Sequence, residues 1–217
     1  MSARDEILAR VRGATADVVT TPADRGPTAV VEETSPGRAA TLDLFAENVA
    51  DYRAQVVRVA APGVASAVAE ALRQQGCATA VLPTGLDPAW RDAAAHVVRV
   101  LDEAEVAVDA ELDAVDAVVT AAAVGIAVTG TVVLDHGPDQ GRRALTLVPD
   151  VHVCVVRGGQ VVHDVPEAVG RLRPEAGHAR PLTWVSGPSA TSDIELERVE
   201  GVHGPRTLVV VLVDEEV

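Results

Sequence analysis

Lysine does not occur in the 217-residue sequence, so all eighteen basic residues are arginine. That absence removes any lysine Schiff base, including a pyridoxal phosphate anchor, and the P-loop lysine that reaches the β/γ-phosphates of a nucleotide. Aromatic residues are nearly as scarce: Phe45, Tyr52, Trp90 and Trp184 make up 2% of the chain. With thirty-two acidic side chains and a net charge of -14, the chain lacks both the basic stripe and the stacking platforms of a nucleic-acid surface. Only two cysteines occur, Cys77 and Cys154, too few for the four thiolates typical of an iron–sulfur cluster. Redox chemistry would then need a metal carried by another chain. No apolar run approaches the ~20 residues that cross a bilayer. Met1 to Arg12 alternates charged with apolar residues and forms no secretory h-region. A cytosolic protein with reduced thiols is expected.

What is present is apolar and aliphatic. Hydrophobic residues make up 48% of the sequence, enough for an ordered core, and the length suits one domain with a short appended segment. Ile7, Leu8 and Val11 predict a short N-terminal helix, with Ser2 as N-cap and Gly13 as its stop. Residues 14–40, rich in Thr, Pro, Gly and Glu, read as a linker arm, so an arm over 1–40 and a globular domain over 41–217 are expected.

Leu42, Phe45, Val49 and Tyr52 recur at helical spacing within Thr41 to Gln55. Beyond it, Val56 to Val59, Ala78 to Leu82 and Val97 to Leu101 read as strands, separated by helices over Pro62 to Gln75 and Pro88 to His96. Such alternation predicts an α/β fold with a mainly parallel sheet covered on both faces. Further on, Ala117 to Thr120 is apolar, and Gly125 to Leu134 reads as short strands around Thr129-Gly130 before a turn at His136 to Gly141. Arg142 to Val148 is expected to be helical, as is Pro166 to Leu172; Val151 to Val156, Val161-Val162, Leu182 to Ser186 and Leu208 to Val213 are expected to complete the sheet.

Two glycine bends stand out. Gly125 to Thr131 has P-loop spacing as far as Gly130, but Thr131 stands where lysine is required, so the nucleotide-triphosphatase reading fails. Thr129, Gly130 and Thr131 then form either a tight hairpin turn with positive φ at Gly130 or a turn whose NH groups meet an anion. Gly187 to Asp193 follows a predicted strand, where ligands gather in open α/β sheets, and Gly187, Ser189 and Thr191 suit a phosphate or carboxylate. Ser192, three residues before Glu195, reads equally as a helix capping signal. Asp193 and Glu195 share a face only in a strand; with His203 beside the Gly204-Pro205 turn they are the candidate acid/base groups. Arg142 and Arg143 form a candidate clamp for an anionic substrate or an exposed pair balancing acidic neighbours. His136, His152 and His163 show no metal-ligand spacing, and no tightly held metal is expected.

Taken jointly and in order, Gly125 to Leu134, Arg143 to Pro149, Val151 to Val153, Gly187 to Glu195 and Gly201 to Pro205 resemble the LUD (lactate utilisation) domain family. The resemblance implies a three-layer α/β/α fold akin to the CoA-transferase and ribose-phosphate isomerase group. It also implies a part in oxidising L-lactate to pyruvate beside two companion proteins that carry iron–sulfur clusters. This chain would be the cluster-free member, with no cofactor of its own. The family's glycine-threonine turn is commonly preceded by glutamate, where this chain has Val128. Two functions are therefore expected in turn: an accessory subunit binding a small anion or a partner through the two bends, or a free-standing enzyme of CoA-transferase or cyclo-ligase type using Asp193, Glu195 and His203.

Overall fold

The computed structural model describes residues 3–16, 36–172, 180–192, 198–200 and 204–214. The chain divides into two compact units, Met1–Glu33 and Thr34–Val217. The first carries α1 (Ala3–Ala14), one residue past the expected stop at Gly13. All strands belong to the second.

That unit opens with α2 (Arg38–Asp51), which starts ahead of the expected Thr41 and gives way to a strand at Gln55. Strand and helix then alternate through β1 (Gln55–Ala60), α3 (Val64–Gln74), β2 (Thr79–Val81), α4 (Pro88–Ala95), β3 (Arg99–Leu101), α5 (Asp109–Leu112) and β4 (Ala117–Ala121). A hairpin follows, β5 (Val124–Ile126) and β6 (Thr131–Leu134), then β7 (Val151–Arg157), β8 (Val161–Val162) and α6 (Val165–Arg171). The described remainder is β9 (Thr183–Val185), β10 (Ala190–Ser192), β11 (Arg198–Glu200) and β12 (Thr207–Asp214). Local chemistry sets several boundaries: Asp87 caps α4 by accepting from Ala89 N at 2.9 Å, with Pro88 in the first turn, where its missing N–H costs nothing.

The central sheet has six parallel strands in the order β1-β12-β7-β4-β2-β3. Its middle strands are near-continuous runs of Val and Leu because both faces are covered. Val153, Val155, Val209 and Val211 share a core with Val68 and Leu72 of α3 and Trp90 of α4. The alternate residues Cys154, Val156, Val210 and Leu212 pack on the other face with Leu42, Phe45 and Val49 of α2. The period of two along each strand thus feeds two separate cores, and helices lie on both sides of an α/β sheet.

The expectation that all later strands complete one sheet does not hold. β8, β5, β6 and β9 form a second, four-stranded sheet, and β10 pairs antiparallel with β11. A short hairpin can only satisfy its backbone against its own partner, so β5 and β6 leave the parallel sheet and recruit β8 and β9. Ser192, expected as a helix cap, instead lies in β10 opposite Arg198. The expected helix over Arg142 to Val148 is a single 3-10 turn, Arg143–Thr146. Among the described residues no helix is long and apolar enough to cross a membrane.

Candidate functional site

The second sheet brings the two glycine bends together. β6 pairs with β9 so that Thr131 Oγ1 and Ser186 Oγ stand 2.8 Å apart. Gly130 adopts φ +56, and a Cβ there would lie 2.5 Å from the Asn48 carbonyl carbon. Asn48 Nδ2 holds the same turn by donating to Ala127 O at 2.8 Å. Gly187 adopts φ +85, where a Cβ would lie 2.7 Å from the Tyr52 carbonyl oxygen. Both glycines are therefore required by backbone conformation and by the close approach of the C-terminal end of α2. Thr129 Oγ1 is buried without a hydrogen-bond partner, as is His163 Nδ1, and the two loops are tied by Val128 N donating to His163 O at 3.0 Å. Val128 itself, where the family commonly has glutamate, is exposed.

This cluster lies away from the carboxyl ends of the parallel strands. Ser189 N donates to Pro205 O at 2.7 Å, beside the N-terminal end of β12, and β9 belongs to the second sheet, so the strand-end rule does not apply to Gly187. Thr191 lies in β10. Arg142 does not join the bends: its Nη2 donates to Val106 O, and its backbone N donates to Glu103 Oε1 at 3.1 Å, beyond β3 at the far edge of the sheet. Arg143 beside it is exposed. Asp193, Glu195 and His203 lie outside the described residues.

Titratable groups inside the sheet are held neutral. His152 is 1% exposed, its Nε2 stands 2.8 Å from Thr120 Oγ1, and burial pushes the imidazole down to about 4. Burial pushes the Cys154 thiol up to about 12, and burial followed by the charge of Asp116 pushes Cys77 up to about 11. The two thiols sit in different cores and are protonated at neutral pH.

The carboxyl ends of β4 and β7 open onto a crevice of about 680 Å³. Its floor is Ala122 and Ala123, fixed by Gln160 Nε2 donating to Ala122 O at 2.5 Å. One wall is the 135–140 turn, tied to the sheet by Ala121 N donating to Asp139 O at 3.0 Å. Gln140 Oε1 supports the turn from inside by accepting from Asp135 N at 2.7 Å and His136 N at 3.1 Å. His136 pins it to β9, with Nε2 2.8 Å from Thr183 Oγ1. Arg171 at the end of α6, and Arg180 and Leu182 ahead of β9, form the opposite wall.

This is where an open α/β sheet gathers ligands. The chain passes outward from β2 to β3 and inward from β4 to β7, so neighbouring β2 and β4 mark a topological switch point. Gly85 N donates to Pro138 O at 3.0 Å across that junction. Arg171 is partly spent on Gly159 O at 2.8 Å and Glu167 at 3.1 Å, whereas Arg180 approaches Asp135 only to 3.9 Å. Asp139 is half-buried, and its carboxylate has no hydrogen-bond or ion-pair partner among the described residues. Sequence reasoning read this stretch as a turn and missed Asp139, Arg171 and Arg180, which sit on three separate loops without motif spacing. The strand-end rule, applied to Ala117 to Thr120, would have pointed to it.

The family described as LUD domain matches residues 14–213 of the chain. Lactate utilization protein C of Deinococcus radiodurans is 48% identical over 176 residues, 81% of each chain. Lactate utilization protein C of Bacillus pumilus is 38% identical over 95 residues, 42% of this chain and 39% of that one. The crystal structure of a DUF162 family protein from Deinococcus radiodurans resembles this fold with a TM-score of 0.69 at 40% identity, covering 82% of this chain and 99% of the other.

Proposed function

The chain belongs to the LUD domain family, and from that premise we propose that it serves in the utilisation of lactate. It acts in the cytosol as the cluster-free subunit of a system that oxidises L-lactate to pyruvate, beside two iron–sulfur proteins. The observation that carries this reading is the 48% identity, over four-fifths of both chains, to a relative named lactate utilization protein C. The donor set supports the division of labour. Cys77 and Cys154 are buried, protonated and in separate cores, and among the described residues no group of three or more His, Cys, Asp or Glu side chains is placed to hold a metal. Electrons removed from lactate are then handled by the partners, while this chain contributes binding and positioning.

Deleting the gene tests the reading. The deletion strain is expected to lose growth on L-lactate as sole carbon source while growing normally on glucose, and the wild-type gene should restore it. Normal growth of the deletion strain on lactate would overturn the proposal. Pull-down of the tagged chain is further expected to bring down iron and the visible absorbance of clusters, and their absence would remove the iron–sulfur partners from it.

A further inference from the structure

The crevice at the ends of β4 and β7 places a cation and an unpaired carboxylate on facing walls of one cavity. Arg180 keeps most of its guanidinium donors uncommitted, since its approach to Asp135 at 3.9 Å exceeds hydrogen-bonding distance. Across from it, the half-buried Asp139 carboxylate has no partner among the described residues. A carboxylate deprived of part of its hydration stands to gain from a donor. The turn that carries it is fixed at Ala121 N, Gln140, His136 and Gly85, so Asp139 is preorganised rather than free to fold back on itself.

The geometry points to this crevice, and not the glycine bends, as the binding site of a short 2-hydroxycarboxylate, an inference that rests on the proposed role in lactate utilisation. The ligand carboxylate receives hydrogen bonds from Arg180, with Arg171 adding positive charge behind it, and the neighbouring hydroxyl donates to Asp139. A dicarboxylate would set a second negative charge against Asp139 and Asp135, and a simple carboxylate would leave Asp139 unpaired. The cavity exceeds a three-carbon acid, so water fills the remainder and the affinity is modest, on the order of 1 mM.

Titration calorimetry of the full chain tests this, with L-lactate, propionate and L-alanine as probes. L-lactate is expected to bind at least tenfold more tightly than propionate, which lacks the hydroxyl, and more tightly than L-alanine, whose ammonium replaces it. Arg180→Gln should weaken lactate at least tenfold, and Asp139→Ala should reduce it to the level of propionate, with circular dichroism and thermal midpoint confirming that both variants fold. Unchanged lactate affinity in both variants, no lactate binding by the wild type, or tighter binding of L-alanine would each overturn the inference. Complementation of the deletion strain separates the two claims: a wild-type gene that restores growth on lactate while its product binds no lactate removes this site and leaves the family role standing.

Discussion

His152 gives the fold a calculable sensitivity to acid. Its ring is fully enclosed between β4 and its neighbours, neutral, with Nε2 at 2.8 Å from Thr120 Oγ1, and burial holds its pKa near 4. In the unfolded chain the same imidazole titrates near 6.5. Between these values the unfolded state binds a proton that the native state refuses, so native stability is full above about pH 6.5 and falls as pH drops toward 4. Integrating the two titrations gives a loss of about 2 kcal/mol between pH 7 and pH 5, a resolvable share of the roughly 5–15 kcal/mol of a typical domain. Urea unfolding followed by circular dichroism at the two pH values measures it. His152→Gln keeps a polar side chain near Thr120 but cannot titrate, and His152→Leu leaves the Thr120 hydroxyl its 3.6 Å contact with Cys154 Sγ. Both variants should lose about 2 kcal/mol less than wild type over this interval, whatever their stability at pH 7. An equal pH dependence in all three proteins would show that His152 is not buried and neutral as described.

Other consequences follow from the same packing. Thr129→Val removes a buried hydroxyl that has no partner at nearly constant volume, and should raise stability by about 1 kcal/mol, roughly 2–4 °C in the melting midpoint; a lower midpoint would mean that an ordered water satisfies that oxygen. Gly130→Ala meets both positive φ and the Asn48 backbone at 2.5 Å, and should cost about 2 kcal/mol or more in urea unfolding; a neutral substitution would contradict the packing of the bend on α2. Cys77 and Cys154, with thiols pushed up to about 11 and about 12, should resist iodoacetamide in the native protein at pH 8 and both react in urea, as read by mass spectrometry.

The fold was legible where residue patterns are local. Buried strands such as Val151–Arg157 announce themselves by unbroken aliphatic runs, and Pro88 with Asp87 marks a helix start from sequence alone. Pairing partners are not local, and there the sequence reading failed: nothing in Val161-Val162 or Leu182 to Ser186 says whether it joins the parallel sheet or the hairpin beside it. Arg142 to Val148 looked helical because Ala144, Leu145 and Leu147 suit a helix, yet the chain has only one turn before Pro149 to return to the central sheet. The candidate site shows the same division. Glycines at 130 and 187 were recognised as special, and the structure supplies the reason in the backbone of α2. Asp139, Arg171 and Arg180 carry no signature, because only the strand order brings their loops to one crevice.

Amide chemical-shift mapping of the labelled chain with L-lactate tests the crevice most directly, because it reports where the ligand sits and not only whether it binds. The largest displacements are expected at Ala122, Ala123, Asp139 and Gln160, which line the cavity. Displacements centred on Thr129 to Thr131 and Gly187 to Ser189, with the crevice silent, would contradict the assignment and return the site to the glycine bends.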